Sequence, residues 1–258
     1  MNSVSVSIII PCFNAVEYTK QCMESVLIHT NVNYELILIN NGSTDGTKEY
    51  FEFLKKHLKP CSFLKKITIL QFKKNLGVAK SLNLGISKSL GKYICYLNND
   101  VIVTKDWLLK SIKVFRKDKE VVAMGTMFNM FEDKNFVKQV EKDKTIIDKV
   151  AQSLSILNKG KVKKAKTIHG LCMLIKKSIF KKVGLFNENF YPCFGEDIEF
   201  CDRLRENKYK MVDVMDVFVF HYWNKSVRSK YFNKNYKSIK SVMNTHYKEF
   251  SIPKRYKI

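Results

Sequence analysis

The sequence predicts an α/β fold: a mostly parallel central sheet with helices on both faces. Short apolar runs rich in branched and aromatic residues alternate with helical patterns four times in the first hundred residues, the order of right-handed βαβ units. Several of these runs stop abruptly in polar clusters, as at Pro11-Cys12-Phe13-Asn14, Asn40-Asn41-Gly42-Ser43-Thr44-Asp45 and Asn98-Asn99-Asp100. At 258 residues and 45% hydrophobic content, the chain can also bury a full core.

Residues 4–11 alternate and then run apolar, a strand that becomes fully buried. A helix follows over about 16–29, with Cys22, Met23, Val26 and Leu27 on one face. Residues 34–39 form a second buried strand, and the helix over about 47–58 stops before Pro60. Residues 67–72 are a third strand. Asn75-Leu76-Gly77 then opens a helix over 78–90 that carries Asn83 and Gly85, and Gly91 ends it. Residues 93–97 are the fourth strand. A helix over 106–117 turns Trp107, Leu108, Ile112 and Phe115 inward, and 121–128 is a strand. From Phe131 to Lys166 the chain turns charged and reads as a loop with one short helix, within a variable insertion or lid over 128–166. Beyond it come a strand over 171–175, a helix over 177–183, and a helix whose face is Ile198, Cys201 and Leu204. A final pair of strands, 210–214 and 217–220, ends in His221-Tyr222-Trp223.

Composition excludes several classes. No apolar run approaches the roughly 20 residues that span a bilayer, and the N-terminus has no basic region of a signal peptide. Seven scattered cysteines without C-x-x-C suit reduced thiols in a cytosolic protein. Neither G-x-G-x-x-G nor G-x-x-x-x-G-K-[ST] occurs, so a dinucleotide fingerprint and a P-loop are absent. The formal net charge of +22 favours anionic partners: nucleic acid, an anionic membrane face or phosphorylated substrates. A coding bias toward Lys, Asn and Ile explains it equally well.

The polar loops after the first, second and fourth strands would gather along one edge, where open α/β sheets hold nucleotides. Asp100 is a hard oxygen ligand of the type that holds Mg²⁺ or Mn²⁺ against a diphosphate; a plain Asn/Asp turn is the alternative. Glu196 and Asp197 fall in the first turn of a helix, where the macrodipole favours carboxylates. Adjacent helical residues point about 100° apart, so the two cannot easily flank one bond as a hydrolase pair does.

In chain order the motifs are P-x-x-N (Pro11, Asn14), N-G-S-T-D-G-T from Asn41, N-x-G-x-x-x-x-x-N-x-G from Asn75, N-N-D, G-E-D-I-E-F-x-x-R-L-R from Gly195, and F-x-F-H ending at His221. This series resembles the inverting family 2 glycosyltransferases, which have the GT-A fold. It is most similar to the branch that includes rhamnosyltransferase-like enzymes of bacterial surface glycans, over about residues 5–223. The resemblance implies a nucleotide-sugar donor site at Pro11, Asn14, Asn40, Asn41, Ser43, Asp45, Asn75, Gly77, Asn83, Asn98, Asn99 and Asp100. It implies a divalent metal, Mn²⁺ or Mg²⁺, held by Asp100 and His221. Asn98 stands where the family's D-x-D motif has its first carboxylate, so within that triplet Asp100 would carry the metal role alone. Asp197 is the expected general base, and Glu196 positions the acceptor. Trp223 and Tyr222 either stack on an acceptor sugar or close the core. The implied reaction moves a sugar to a hydroxyl of a glycan, a lipid-linked or a protein (flagellin-type) acceptor.

Residues 225–258 carry ten Lys/Arg against one acidic residue, Glu249, with aromatic and aliphatic residues at near-helical spacing. A basic helical extension of this kind, following a catalytic domain over 1–223, suits an anionic membrane surface; a helix packed back on the domain is the alternative. Localisation is expected to be cytoplasmic, with a peripheral contact at the inner face of the cytoplasmic membrane. A sugar-1-phosphate nucleotidyltransferase would need a glycine-rich basic loop after the first strand, which is lacking. No nucleic-acid module signature appears, and no nucleic-acid partner is expected. A degenerate, binding-only member of the family remains the competing reading.

Overall fold

A computed structural model describes residues 4–129 and 134–223. The basic extension over 224–258 lies outside the described residues. In chain order the elements are β1 (Val6–Cys12), α1 (Val16–His29), β2 (Tyr34–Asn41), α2 (Thr47–His57), β3 (Leu64–Phe72), α3 (Val78–Lys88), β4 (Tyr93–Leu97), β5 (Val101–Val103), α4 (Trp107–Lys117) and β6 (Val121–Phe128). There follow α5 (Lys134–Lys142), α6 (Thr145–Leu157), β7 (Val162–Lys164), β8 (Cys172–Lys176), a 3₁₀ turn leading into α7 (Phe180–Val183), α8 (Glu196–Glu206) and β9 (Lys210–His221).

One sheet runs in the order β3-β2-β1-β4-β8-β6-β9-β5, with β7 also paired to β9. The β3-β2-β1-β4 half is parallel throughout. Beyond it β8 runs antiparallel to both β4 and β6, while β6 and β9 are parallel. The sheet is therefore mixed, with its parallel half in the βαβ region.

Alternation along β1 separates two cores. Ile8 and Ile10 face Met23 and Val26 of α1, Phe51 of α2, and Trp107 and Phe115 of α4. Ile9 faces Leu82 and Ile86 of α3 and Phe200 and Leu204 of α8 on the opposite side. Each such fully buried side chain contributes about 1.5–3 kcal/mol. No helix among the described residues is long and apolar enough to cross a membrane.

Two expectations are corrected, and one strand is added. The stretch read as a loop with one short helix holds α5, α6 and β7. Phe136, Val140, Ile147, Val150 and Leu154 of these helices pack on Phe218 and Phe220 of β9; dense lysines between the apolar positions obscured a helical period. Val101–Val103 is a strand, too short to announce itself in sequence, and survives by pairing with β9. The two final strands are one. The register along β6 jumps from Val214 to Phe218, so the break expected near 215–216 is an irregularity within a continuous strand.

Candidate active site

The carboxyl ends of β1, β2, β3 and β4 are laced together by their own polar side chains. The Asn14 main-chain N–H donates to Ser43 Oγ at 2.9 Å, and Asn14 Oδ1 accepts the Thr44 N–H at 2.9 Å. Asn40 Oδ1 accepts the Ser43 N–H, and Asp45 accepts the Val16 N–H at 2.8 Å. Asn99 Nδ2 donates to Thr19 Oγ1 at 2.8 Å and to the Asn14 carbonyl. Asn41 joins Asn75, Leu76 and Gly77. The expected donor loops thus meet on one edge, along the end of the β1–β2 parallel pair where Pro11 stands opposite Ile39.

Asp100 and His221 meet at the same edge. Val101 pairs with His221 across β5 and β9, so the acidic turn and the end of the last strand are neighbours by register. His221 Nε2 lies 2.9 Å from Asp100 Oδ1, and both side chains are buried. Asn129 clamps the His221 main chain from both sides: its Nδ2 donates to the His221 carbonyl at 3.0 Å, and its Oδ1 accepts the His221 N–H at 2.7 Å. The other ring nitrogen, Nδ1, is buried without a hydrogen-bond partner. Two donors on one octahedral cation, each at about 2.1 Å, lie about 3 Å apart. The spacing of this pair fits two adjacent ligand positions. Among the described residues no group of three or more His, Cys, Asp or Glu gathers to hold an ion, so a cation here needs oxygens from elsewhere, such as a diphosphate.

Glu196 and Asp197 open α8, and both are buried. Their environments differ. Asp197 Oδ2 accepts the Gly170 N–H at 2.8 Å and Oδ1 accepts the Ile198 N–H at 2.9 Å, a pattern that favours a charged carboxylate. Glu196 Oε2 has no hydrogen-bond partner. Burial first, and the adjacent Asp197 second, push its carboxyl up to about 8. Such divergence within a carboxylate pair separates a base from a proton donor.

Two adjacent residues tie this helix to the acidic turn through their main chain. Gly170 gives its N–H to Asp197, and the carbonyl of the next residue, Leu171, accepts the Asn98 N–H at 3.0 Å. Tyr96 lies against Gly170, and burial holds its phenol well above its ordinary value, with the charges of Glu196, Asp197 and Asp100 adding to the effect. A Cβ on Gly170 would stand 2.6 Å from Tyr96 Cε1 and 3.2 Å from Asp197 Oδ2. Gly170→Ala is therefore expected to cost about 1–3 kcal/mol by overpacking and to lower turnover by up to about 10²-fold by displacing Asp197. Thermal melts and steady-state kinetics on the same preparation check both.

The raised carboxyl of Glu196 also predicts a pH dependence of stability. Between the ordinary carboxylate range and about 8, the unfolded chain is ionised while the folded chain keeps its proton. Stability therefore falls as pH rises through that window. Glu196→Gln removes this slope. Its melting temperature should match wild type near pH 5 and exceed it near pH 8.5, as melts across the series would show.

Several expected donor or acceptor contacts are committed to the protein itself. Asn83 Nδ2 donates to the Phe186 carbonyl and to Glu188, and its Oδ1 accepts the Phe186 N–H. It braces the loop before α8. Tyr222 is buried among α5–α6 residues and donates its hydroxyl to Gln21. Trp223 is buried, donates to the Asn129 carbonyl, and lies 4.4 Å from the His221 ring between centroids. Trp223 thus packs against His221, and both aromatics are buried against the protein's own side chains. Sequence reasoning missed Gly170, Tyr96 and Asn129. Asn129 carried the signal used elsewhere, a polar residue at the carboxyl end of an apolar strand.

The helix-flanked central sheet matches that of solved GT-A glycosyltransferases. The model of Glycosyl transferase family 2 matches residues 7–184, and the chain belongs to that family. A glycosyltransferase of Haemophilus influenzae is 27% identical over 207 residues, covering 77% of this chain and 59% of that protein. GalNAc-T7, solved with UDP, GalNAc and Mn²⁺, aligns with a TM-score of 0.63 at 16% identity, over 85% of this chain and 44% of that one. The mannosyltransferase PcManGT of Pyrobaculum calidifontis, solved with GDP-Man and Mn²⁺, gives 0.64 at 15% identity, over 86% and 58%. The chain spans less than two thirds of the length of each of these proteins.

Proposed function

We propose that this chain is a metal-dependent inverting glycosyltransferase, moving a sugar from a nucleoside-diphosphate-sugar to a hydroxyl of a glycan, lipid-linked or protein acceptor. One observation carries the reading. The peptides of Gly170 and Leu171 join Asp197 to the turn that presents Asp100. A base and a diphosphate-binding acid are thereby held on one edge. The UDP, GalNAc and Mn²⁺ of GalNAc-T7 and the GDP-Man and Mn²⁺ of PcManGT support a nucleotide-sugar donor and a divalent cation here.

Asp100 and His221 would hold the cation, Mn²⁺ or Mg²⁺. Bound there, it would offset the charge that grows on the departing nucleoside diphosphate. The laced loops bearing Asn14, Asn40, Ser43 and Asp45 form the nucleoside side of the site. Asp197 accepts the proton of the acceptor hydroxyl as that oxygen attacks the anomeric carbon opposite the leaving group, which inverts the centre. Glu196, protonated at neutral pH, donates a hydrogen bond that orients the acceptor. The partnerless oxygen of Glu196 favours a second reading, in which Glu196 is the base.

Donor hydrolysis across a panel of nucleotide sugars, with Mn²⁺, Mg²⁺ or EDTA, tests the reading. Metal-dependent release of one nucleotide is the expected result. Silence across the panel, together with no thermal shift from any nucleotide, would overturn it.

A further inference from the structure

The turn between α6 and β7 takes no part in the site, yet it presents an unusual surface. Ile156 is 70% exposed, Leu157 49% and Val162 47%. Residues 149–166 hold six lysines and no acidic residue. Lysines on a short edge strand discourage pairing with another sheet, which accounts for part of the charge. It does not account for three aliphatic side chains grouped in water within seven residues. The turn is also built rather than loose. The Gly160 N–H donates to Asp216 Oδ2 at 2.9 Å, and the Met215 N–H donates to the Lys161 carbonyl at 3.0 Å.

We propose that this turn docks on an anionic lipid bilayer, with Ile156, Leu157 and Val162 entering the interface and the lysines meeting headgroup phosphates. Charge complementarity selects an anionic partner, and each lysine near such a surface adds roughly fivefold to binding. The aliphatic group selects a bilayer over a soluble polyanion, which would gain nothing from Ile156 and Leu157. Asp216, which fixes the turn, precedes His221 by five residues on β9, roughly 17 Å at the rise of an extended chain. A hydroxyl carried at the membrane surface would thus arrive beside the site. Only this last step rests on the transferase reading; the docking does not.

Co-sedimentation of the full chain with phosphatidylcholine vesicles, with and without phosphatidylglycerol, tests the proposal. Binding should require phosphatidylglycerol and weaken with salt. Ile156→Asp with Leu157→Asp should lower it at least tenfold, as should Lys159→Ser with Lys164→Ser. Ile28→Asp, on α1 and 67% exposed in the wild type, serves as the control and should leave binding unchanged. Donor hydrolysis without vesicles should be equal in all variants, so failure of docking and failure of the transferase reading are told apart. Absence of binding to the anionic vesicles overturns the proposal. So does binding that survives the paired substitutions, which would pass the role to residues 225–258. A dimer dissolved by Ile156→Asp with no vesicle binding would assign the surface to a second copy and equally overturn it.

Discussion

Asp197→Asn should lower turnover by about 10²–10⁴-fold while leaving nucleotide affinity within a few-fold of wild type. The substitution removes the proton acceptor and keeps the side-chain shape. It also turns an amide N–H₂ toward one of the two main-chain donors that now serve Asp197, Gly170 and Ile198. Some stability is lost for that reason, about 1–3 kcal/mol, so the kinetics must be read on a variant shown by melting to be folded. Glu196→Gln is the decisive companion. An orienting Glu196 predicts a loss of about tenfold on substitution, because the amide still donates a hydrogen bond. A loss as large as that of Asp197→Asn would move the base to Glu196. Nucleotide release at saturating donor, beside calorimetric titration of the nucleotide, separates chemistry from binding.

Asp100→Ala should remove the metal response altogether. A cation stabilising a departing diphosphate supplies several kcal/mol, so turnover should fall about 10²–10³-fold. The remaining activity should be the same in Mn²⁺ and EDTA. Nucleotide binding in Mn²⁺ should drop to the level that wild type shows in EDTA. His221→Ala should act in the same direction with a smaller loss, because Asp100 carries the negative charge of the pair. Thermal shift by Mn²⁺ plus nucleotide gives a readout independent of turnover. A full Mn²⁺ response in Asp100→Ala would place the cation elsewhere.

The parallel half of the fold was legible because each of its strands is an apolar run closed by polar residues, and each of its helices has a clean buried face. The N-N-D turn stood out because polar residues closing a buried strand are a poor choice for packing, whereas the Glu-Asp pair, at a helix start where carboxylates are common, stood out only within the series of motifs. What stayed hidden depends on pairing across long separations. Val101–Val103 has three residues and acquires strand character only from β9. The lysines of 134–166 masked a helical period that becomes plain once Phe218 and Phe220 supply its partners. The partners of Asn83 and Trp223, in the loop before α8 and just after β6, are far away in sequence and could not be read from it. Gly170 contributes through a main-chain N–H, which side-chain identity does not disclose.

The position of β9 has a consequence for the order of events during synthesis. It is the last described strand in the chain, yet it lies inside the sheet between β6 and β5. β5 ends the strand path and pairs with β9, through Val101 opposite His221. More than a hundred residues must therefore leave the ribosome after Asp100 before its imidazole neighbour can arrive, a closure of high contact order that slows the final step of folding. The β1–β4 half can form early on its own parallel pairings, but on the proposed reading its cation site stays incomplete until that moment. Competence to bind a metal–nucleotide pair would then mark the newly made chain as finished.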